Sequence, residues 1–175
     1  MVPLTDDAVW LKRFAGTSAL GMPCGSLLVV APHPDDETLG AGLLPATLTA
    51  RGVTVTVIAV TDGENAYHTC ATERLSLGRT REVEQREALA ALGVEASAII
   101  RLRMTDSGLA EQEHDLTDRL MQLSQPGMTL LAPWSGDFHP DHEACARAAA
   151  AVARAKGLPL ISYSSGCGTA AGLSC

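Results

Sequence analysis

Two short segments rich in histidine and aspartate contain the side chains of this chain that are best suited to chemistry. The first is Ala31–Glu37, where the imidazole of His33 is followed by three consecutive carboxylates, Asp35, Asp36 and Glu37. Adjacent carboxylates repel one another, so this cluster costs stability unless a cation or hydrogen-bond donors neutralise it. Taken alone, the segment fits a solvated loop before an acidic helix N-terminus equally well, because carboxylates are favourable there.

The second segment, Asp137–His142, contains another His-Pro-Asp sequence and two of the five histidines, His139 and His142. Where paired thiolates are absent, zinc binds imidazole nitrogens and carboxylate oxygens. Two histidines and one carboxylate, with a fourth position left for water, are typical of catalytic zinc sites. The two segments together therefore predict one shared metal ion. Which of the three acids of the first segment binds it is left open by the residues alone.

Both segments must lie at the same edge of a sheet if they are to share an ion. Short apolar runs rich in β-branched residues alternate with longer helical stretches along the chain. The predicted strands lie near Ser26–Ala31, Val53–Val60, Ala98–Leu102, Met128–Ala132 and Pro159–Tyr163. The predicted helices lie near Thr38–Arg51, Arg79–Leu92, Glu111–Ser124 and His142–Lys156. Pro45 should kink the first helix or move its start, and Gly52, Gly93 and Gly157 should cap helix C-termini.

This alternation predicts a Rossmann-like three-layer α/β sandwich with a mostly parallel sheet, because strands apolar on both faces need helices on both sides. Ligands bind beyond the carboxyl ends of the strands in such sheets. Three polar segments follow strands in this way, at His33–Glu37, Thr61–Glu64 and Trp134–His142. We expect one domain over residues 1–175, with a core at 22–163 and an atypical small, polar tail at 164–175.

The composition limits the classes of partner. The formal net charge is −7 and the basic residues are scattered, so neither a nucleic-acid duplex nor a membrane surface is an expected partner. The five cysteines are odd in number and include no C-x-x-C pair, which argues against a disulfide framework and a thiolate zinc site. No signal peptide or membrane-spanning segment is recognisable. A cytoplasmic protein is expected, and the oligomeric state is left open.

The two segments resemble the metal-site motifs of the PIG-L/LmbE-like de-N-acetylases, zinc enzymes that remove acetyl groups from N-acetylated amino sugars. The A-H-P-D-D-E motif of that family is similar to Ala31–Glu37, with one extra proline before the histidine, and its H-P-D-H motif to His139–His142. A T-x-G segment is matched by Thr61–Gly63. The family's R-x-x-E helix ending in Leu-Gly is matched by Arg81, Glu84, Leu92 and Gly93.

The resemblance implies roles that residue types and spacing do not supply. It implies that His33, Asp36 and His142 bind Zn²⁺, with Fe²⁺ as the alternative ion. Asp35 is implied as the general base for the attacking water. His139 is implied to stabilise the oxyanion, with a second role as proton donor to the leaving amine. The implied reaction is the hydrolysis of an N-acetyl or other N-acyl group on an amino sugar or glycoconjugate.

Further site residues follow less directly. Arg81 lies where the family has a substrate-contacting arginine, although a solvated helix face explains it equally well. Asp106 follows the third strand in a Thr-Asp-Ser-Gly turn and is a candidate for binding a sugar hydroxyl, against the commoner role of a turn-forming aspartate. Asp141 or Asp137 is expected to orient His139, and the sequence does not choose between the two.

Two alternative functions compete with this interpretation. Gly40 and Gly42 after the first strand and Asp62 after the second suggest a dinucleotide-binding module, but a third glycine is missing and the acidic loop would repel a pyrophosphate. The other alternative is a metal-binding but catalytically impaired, truncated family member. The tail that begins Ser164–Ala170 is small and polar, and its stretch Ser165–Thr169, read one nucleotide out of register, can encode the x-Trp-x-Trp-His that related proteins often carry. We therefore hypothesise a frameshift after about Tyr163.

Overall fold

A five-stranded sheet forms the centre of the fold, and all of its neighbouring strands are parallel. The structure is a computed structural model that describes residues 8–9, 12, 15–16, 18, 21–23, 25–67 and 70–165. The strands are β1 (Leu27–Ala31), β2 (Val55–Thr61), β3 (Ile99–Met104), β4 (Thr129–Pro133) and β5 (Leu160–Tyr163). Their order in the sheet is β3-β2-β1-β4-β5. The chain therefore builds one half of the sheet outward from β1 before it returns to the other side of β1.

Among the described residues, five α-helices cover the two faces of the sheet. They are α1 (Asp36–Leu39), α2 (Leu43–Thr49), α3 (Ala71–Ala91), α4 (Glu113–Leu123) and α5 (Pro140–Lys156), and a 3₁₀ turn occupies Ala96–Ala98. Successive residues of a strand point to opposite faces, so Leu28 of β1 packs in the core under α4 and α5, whereas Val29 packs in the core under α2 and α3. The predicted Rossmann-like three-layer α/β sandwich is confirmed, with a sheet that is entirely parallel.

The first predicted helix is wrong as a single element, because two short helices replace it. Gly40 to Gly42 separate α1 from α2, and Pro45 is the third residue of α2, where its missing N–H costs no helical hydrogen bond. A side chain at position 40 would place its Cβ 2.5 Å from the ring of Tyr163. The glycine thus permits a close contact with β5, which explains it without the phosphate-binding role of the dinucleotide alternative.

The helix predicted from Arg79 begins eight residues earlier, at Ala71. Its N-terminus is capped at Cys70, whose backbone N–H donates to the side chain of Glu73 over 3.0 Å. Only the C-terminal part of this helix has a clear apolar pattern in the sequence, so its exposed first turns were missed. The glycines at 52, 93 and 157 all adopt positive φ, at 74°, 80° and 64°, and the predicted left-handed conformation is confirmed at each.

Within the described part of the chain, no helix combines the length and the apolar character that crossing a bilayer requires.

Candidate active site

The two histidine-rich segments meet at the carboxyl ends of β1 and β4, which are neighbours in the sheet. One strand lies on each side of the point at which the chain order reverses, where open α/β sheets form a ligand crevice. A cavity of about 380 Å³ opens there. Its lining includes His33, Asp36 and His142, together with Asp35 and His139.

The three expected metal ligands present one atom each toward a common point. Nδ1 of His33 and Nε2 of His142 each lie 3.2 Å from Oδ2 of Asp36. The two nitrogens lie 3.3 Å from each other. Four ligands placed tetrahedrally about 2.0–2.1 Å from a zinc ion are separated by about 3.3 Å. The spacing of these atoms therefore fits one face of a tetrahedral zinc site, and the donor set is the one that zinc prefers when thiolates are absent.

The three adjacent acids of the first segment point in different directions. Asp36 faces the histidines, and the half-exposed Asp35 faces the cavity. Glu37 is fully buried and accepts a hydrogen bond from Nε2 of Gln85 over 3.1 Å. The turn into α1 thus separates carboxylates that the sequence shows side by side, and the structure places only Asp36 between the two imidazoles.

Buried carboxylates contact the outward-facing nitrogens of both histidines. Nε2 of His33 lies 3.2 Å from Oδ1 of Asp106 and 3.2 Å from Oδ2 of Asp141. Nδ1 of His142 lies 2.5 Å from Oδ2 of Asp137. A carboxylate in this position holds the proton on the outer nitrogen, which leaves the inner nitrogen free to bind a metal and makes it more basic.

Asp141 or Asp137 was expected to orient His139, but the carboxylate of Asp141 contacts His33 and that of Asp137 contacts His142. Asp141 also accepts backbone N–H groups of Ser107 and Leu109 over 2.7 and 3.0 Å. Its carboxylate thereby joins the N-terminus of α5 to the loop after β3. Helix α5 begins at Pro140, two residues before its predicted start, so Asp141 lies in its first turn.

Asp106 was considered for binding a sugar hydroxyl, and both of its carboxylate oxygens have protein partners. Oδ1 lies near His33 and accepts the hydroxyl of Ser107, whereas Oδ2 accepts the backbone N–H of Asn65 over 2.7 Å. The side-chain amide of Asn65 donates to the backbone carbonyl of Asp106 over 2.7 Å. The loop after β2 therefore fixes the carboxylate beside His33.

The carboxylates around the histidines give the site an affinity for positive charge. Burial alone would lower the pKa of His33, but hydrogen bonds to Asp106, Asp141 and Asp36 raise that pKa to about 11. Burial acts to raise the pKa of Asp36, yet hydrogen bonds from His142 and His33 hold it well below its usual range. A metal-free site therefore keeps protons on its imidazoles, in the place where a divalent cation fits.

Asp35 has an unusual backbone conformation, with φ of 115°. Positive φ is uncommon outside glycine and is a form of strain that collects at functional sites. Arg81 holds this region, since its guanidinium donates to the carbonyl oxygens of Pro34 and Gly63 and to Oδ2 of Asp35. Burial raises the pKa of Asp35 against the lowering effect of Arg81, and a raised pKa suits a general base.

His139 is the N-cap residue of α5, and its ring accepts a hydrogen bond there. Nδ1 accepts a hydrogen bond from the backbone N–H of Asp141 over 3.3 Å, so the proton of the neutral ring lies on Nε2. Burial and the nearby His33 and His142 lower the pKa of His139. The ring is therefore set up as a neutral hydrogen-bond donor through Nε2, at a centroid distance of 4.6 Å from the ring of His142.

Four residues that donate hydrogen bonds to carboxylates of the site were not predicted from the sequence, namely Asn65, Ser107, Ser164 and Ser165. Ser164 and Ser165 follow β5 directly, at the sheet edge where the other site residues lie, and both contact Asp137. Their position after a parallel strand is a signal that would have identified them. They open the tail predicted to be atypical, whereas residues 166–175 lie outside the described residues.

The chain is similar to known proteins over most of its length. Residues 28–153 match the PIG-L family model, which is described as GlcNAc-PI de-N-acetylase. The 1D-myo-inositol 2-acetamido-2-deoxy-alpha-D-glucopyranoside deacetylase of Mycolicibacterium gilvum is 34% identical over 141 residues, which cover 66% of this chain and 50% of that protein. The chain thus spans about half the length of the curated relatives it matches.

Two solved structures share this fold. The N,N'-diacetylchitobiose deacetylase from Pyrococcus horikoshii, in complex with its inhibitor MPG, is 27% identical with a TM-score of 0.65, over 86% of this chain and 59% of that one. A conserved protein from Thermus thermophilus is 36% identical with a TM-score of 0.59, over 78% of this chain and 60% of that one. With a family model that covers more than half of its residues, the chain belongs to the PIG-L family.

Proposed function

We propose that this chain is a zinc-dependent hydrolase that removes an N-acetyl or other N-acyl group from an amino sugar or glycoconjugate. The observation that carries the proposal is the spacing of 3.2–3.3 Å among one atom each of His33, Asp36 and His142. The relative from Mycolicibacterium gilvum is named as the deacetylase of a 2-acetamido sugar, which supports this substrate class. Fe(II) stays the alternative ion, because two histidines and a carboxylate also serve it.

When bound, the metal ion supplies a Lewis acid that polarises the amide carbonyl and lowers the pKa of a water molecule toward neutrality. Asp35 is the base that takes a proton from the attacking water. Its carboxylate is half exposed in the cavity, close in the chain to His33 and Asp36. A positioned base of this kind contributes ~10²–10⁴-fold to the rate.

His139 stabilises the negative charge that develops on the substrate oxygen. Its Nδ1 is occupied by the N–H of Asp141, so the ring donates through Nε2 in its neutral form. A neutral histidine with a pKa lowered by a helix N-terminus is an established electrophile for a carbonyl oxygen. We therefore favour oxyanion stabilisation over proton donation as the role of His139.

Asp35 then supplies the proton that the leaving nitrogen needs. The proton taken from water returns to the nitrogen as the carbon–nitrogen bond breaks. One water and one amide thus give one carboxylic acid and one amine, and Asp35 ends in its starting state. No second titrating acid is required for this balance.

Of the two predicted substrate-binding residues, we propose to keep one and to assign a different role to the other. Arg81 lines the cavity, and its guanidinium has N–H groups beyond those that bind the two loop carbonyls. We therefore keep it as a substrate contact that also positions Asp35. For Asp106, we favour orienting His33 over binding a sugar hydroxyl, because both of its oxygens are already engaged. The substrate is a small molecule, and the cytoplasmic location stays a prediction.

The proposal is tested by metal content and acetate release on the purified full chain. Plasma mass spectrometry of wild type, His33→Ala and His142→Ala should give about one zinc per wild-type chain and loss of the metal in both variants. His114→Ala is the matched control, because that side chain is 89% exposed on α4. Acetate release is then measured on a panel of N-acetylglucosamine conjugates.

Each outcome separates one interpretation from the others. A metal-loaded wild type that releases acetate supports the proposed hydrolase. A metal-loaded wild type that releases none across the panel would favour the catalytically impaired family member. A folded wild type that takes up no zinc, even when zinc is added, contradicts the metal site itself.

A further inference from the structure

The end of β5 contacts the acidic residue that lies behind His142. The hydroxyl of Ser164 donates to Oδ1 of Asp137 over 2.6 Å, and that of Ser165 donates to Oδ2 over 3.3 Å. Oγ of Ser165 also lies 3.3 Å from Nδ1 of His142. Asp137 and His142 are buried, with 3% and 2% of their surface exposed. Ser164 is itself exposed and Ser165 is partly buried, so the two hydroxyl groups reach these buried side chains from the rim of the site.

The two carboxylate oxygens of Asp137 have different hydrogen-bond partners. Oδ2 lies 2.5 Å from Nδ1 of His142, which leaves Oδ1 as a buried acceptor that needs a partner of its own. A buried carboxylate oxygen without a hydrogen-bond partner is destabilising. Ser164 satisfies that oxygen, and it thereby fixes the rotation of the carboxylate about its Cβ–Cγ bond.

The position of the serines is fixed by the sheet. Tyr163 pairs with Pro133 of β4, and the N–H of Trp134 donates to the carbonyl oxygen of Tyr163 over 2.6 Å. The hydroxyl of Tyr163 donates to the carbonyl oxygen of Val30 in β1 over 2.9 Å. Ser164 is thus held at a set distance from both strands whose ends form the metal site.

We propose that Ser164 and Ser165 form a serine clamp, which sets the affinity of the site for its metal ion by orienting Asp137 and, through it, His142. The proposal rests on the metal site proposed above, and it concerns the serines that this chain carries, which lie after the point of the hypothesised frameshift. The clamp acts in two steps, because the serines fix the carboxylate and the carboxylate holds the proton of His142 on Nδ1. Nε2 of His142 is then free and correctly directed. Both serines are positioning residues, since their hydroxyl groups act through Asp137.

The clamp is tested on the metal-free full chain by zinc titration against a competing chelator. Mutation of a residue that hydrogen-bonds a metal-binding histidine typically lowers metal affinity 10–100-fold. Ser164 acts on His142 only through Asp137. We therefore expect Ser164→Ala to weaken zinc binding about 10-fold, at the lower end of that range. Ser162→Ala is the matched control, because Ser162 lies on the same strand with an exposed side chain. Ser164→Thr keeps the hydroxyl and should restore most of the affinity.

Two further readouts separate the clamp from a general loss of stability. The melting temperature of the metal-free Ser164→Ala chain should fall by no more than a few degrees below that of Ser162→Ala, and Ser164→Thr should restore both the melting temperature and the zinc affinity. The cobalt(II)-substituted chain should show a changed visible spectrum in Ser164→Ala only, since that spectrum reports the ligand geometry. If Ser164→Ala is too unstable to purify, Ser165→Ala takes its place, with a smaller expected loss because its hydrogen bond is longer.

Equal zinc affinities in Ser164→Ala and Ser162→Ala overturn the clamp and leave the hydrolase proposal standing. A wild type that binds no zinc removes both the clamp and the metal site. A loss of affinity that follows a fall in melting temperature, with no rescue by threonine, assigns Ser164 to folding alone and also contradicts the clamp.

Discussion

The guanidinium of Arg81 lies 3.3 Å from Oδ2 of Asp35 while it donates to the carbonyl oxygen of Pro34, the residue before that aspartate, over 2.7 Å. It also donates to the carbonyl oxygen of Gly63 over 3.0 Å. A Cβ at position 63 would collide with Nη1 of Arg81, so glycine is required there for this approach. One arginine thus joins the loops after β1 and β2 and supports the strained backbone of the proposed base.

Replacing Arg81 with glutamine should lower kcat more than it raises KM. Loss of the bonds to the two loops frees Asp35, and misplacement of a catalytic group by about 1 Å can cost ~10²-fold in rate. A residue that only bound substrate would raise KM with little change in kcat. Steady-state kinetics distinguishes the two. Arg79→Gln, an exposed position on the same helix, is the control and should leave both constants unchanged. An effect confined to KM would return Arg81 to a purely substrate-binding role.

Asp35→Asn should keep the metal and abolish most of the activity. Asparagine has the same shape as aspartate and is enriched at positive φ, so the backbone at position 35 is preserved. The amide cannot accept the proton of water, and we expect a loss of ~10²–10⁴-fold in acetate release. Asp36→Asn is the contrasting variant and should lose zinc. Full activity in Asp35→Asn would remove this residue as the base.

His139→Asn should separate the catalytic role of this histidine from its helix-capping role. Asparagine is a good N-cap residue, whereas alanine is a poor one, at a cost of about 1 kcal/mol. The free energy of unfolding should therefore fall in His139→Ala and stay close to wild type in His139→Asn. Both variants lose the donor at Nε2, and loss of one oxyanion donor costs ~10²–10³-fold in kcat. Retained activity in His139→Asn would show that the ring is needed only as a cap.

The metal-free chain should lose stability as the pH rises. The folded-state pKa of His33 is about 11, above its ordinary value of 6.5. A raised pKa stabilises the fold fully below pH 6.5, and this contribution is lost as the pH rises toward 11. The slope is at most about 1.4 kcal/mol per pH unit for one proton. Urea unfolding in the presence of a chelator measures it. His33→Gln should flatten the slope, and an unchanged slope would place the proton elsewhere.

The sequence predicts the layers of this fold because a strand that is buried on both faces is a continuous run of apolar residues. β1 and β4 are continuous apolar runs, and the runs were found within a residue or two of the observed bounds. No comparable apolar pattern in the sequence indicates the break between α1 and α2. It depends on the contact between Gly40 and the ring of Tyr163, which are far apart in sequence.

Some features of the site likewise follow from the local sequence, whereas others depend on the tertiary structure. The segments that carry His33 and His142 follow strands, so their convergence was predictable from strand order alone. The pairing of Asp137 with His142 was not, because it depends on a positive φ of 58° at Phe138 and on where α5 starts. The serines after β5 were missed because they belong to no motif, although their position directly after a parallel strand was a usable signal.

The strand order has a consequence for how the protein acquires its metal. His33 and His142 are separated by 109 positions in the chain, and they come together only after the sheet has been built on both sides of β1. A nascent chain that has emerged only as far as β3 contains His33 and Asp36 but not the third ligand. An ion held by all three proposed ligands can therefore be bound only after the chain that carries β4 and the start of α5 has been added, and such binding would stabilise the joining of the two halves of the sheet.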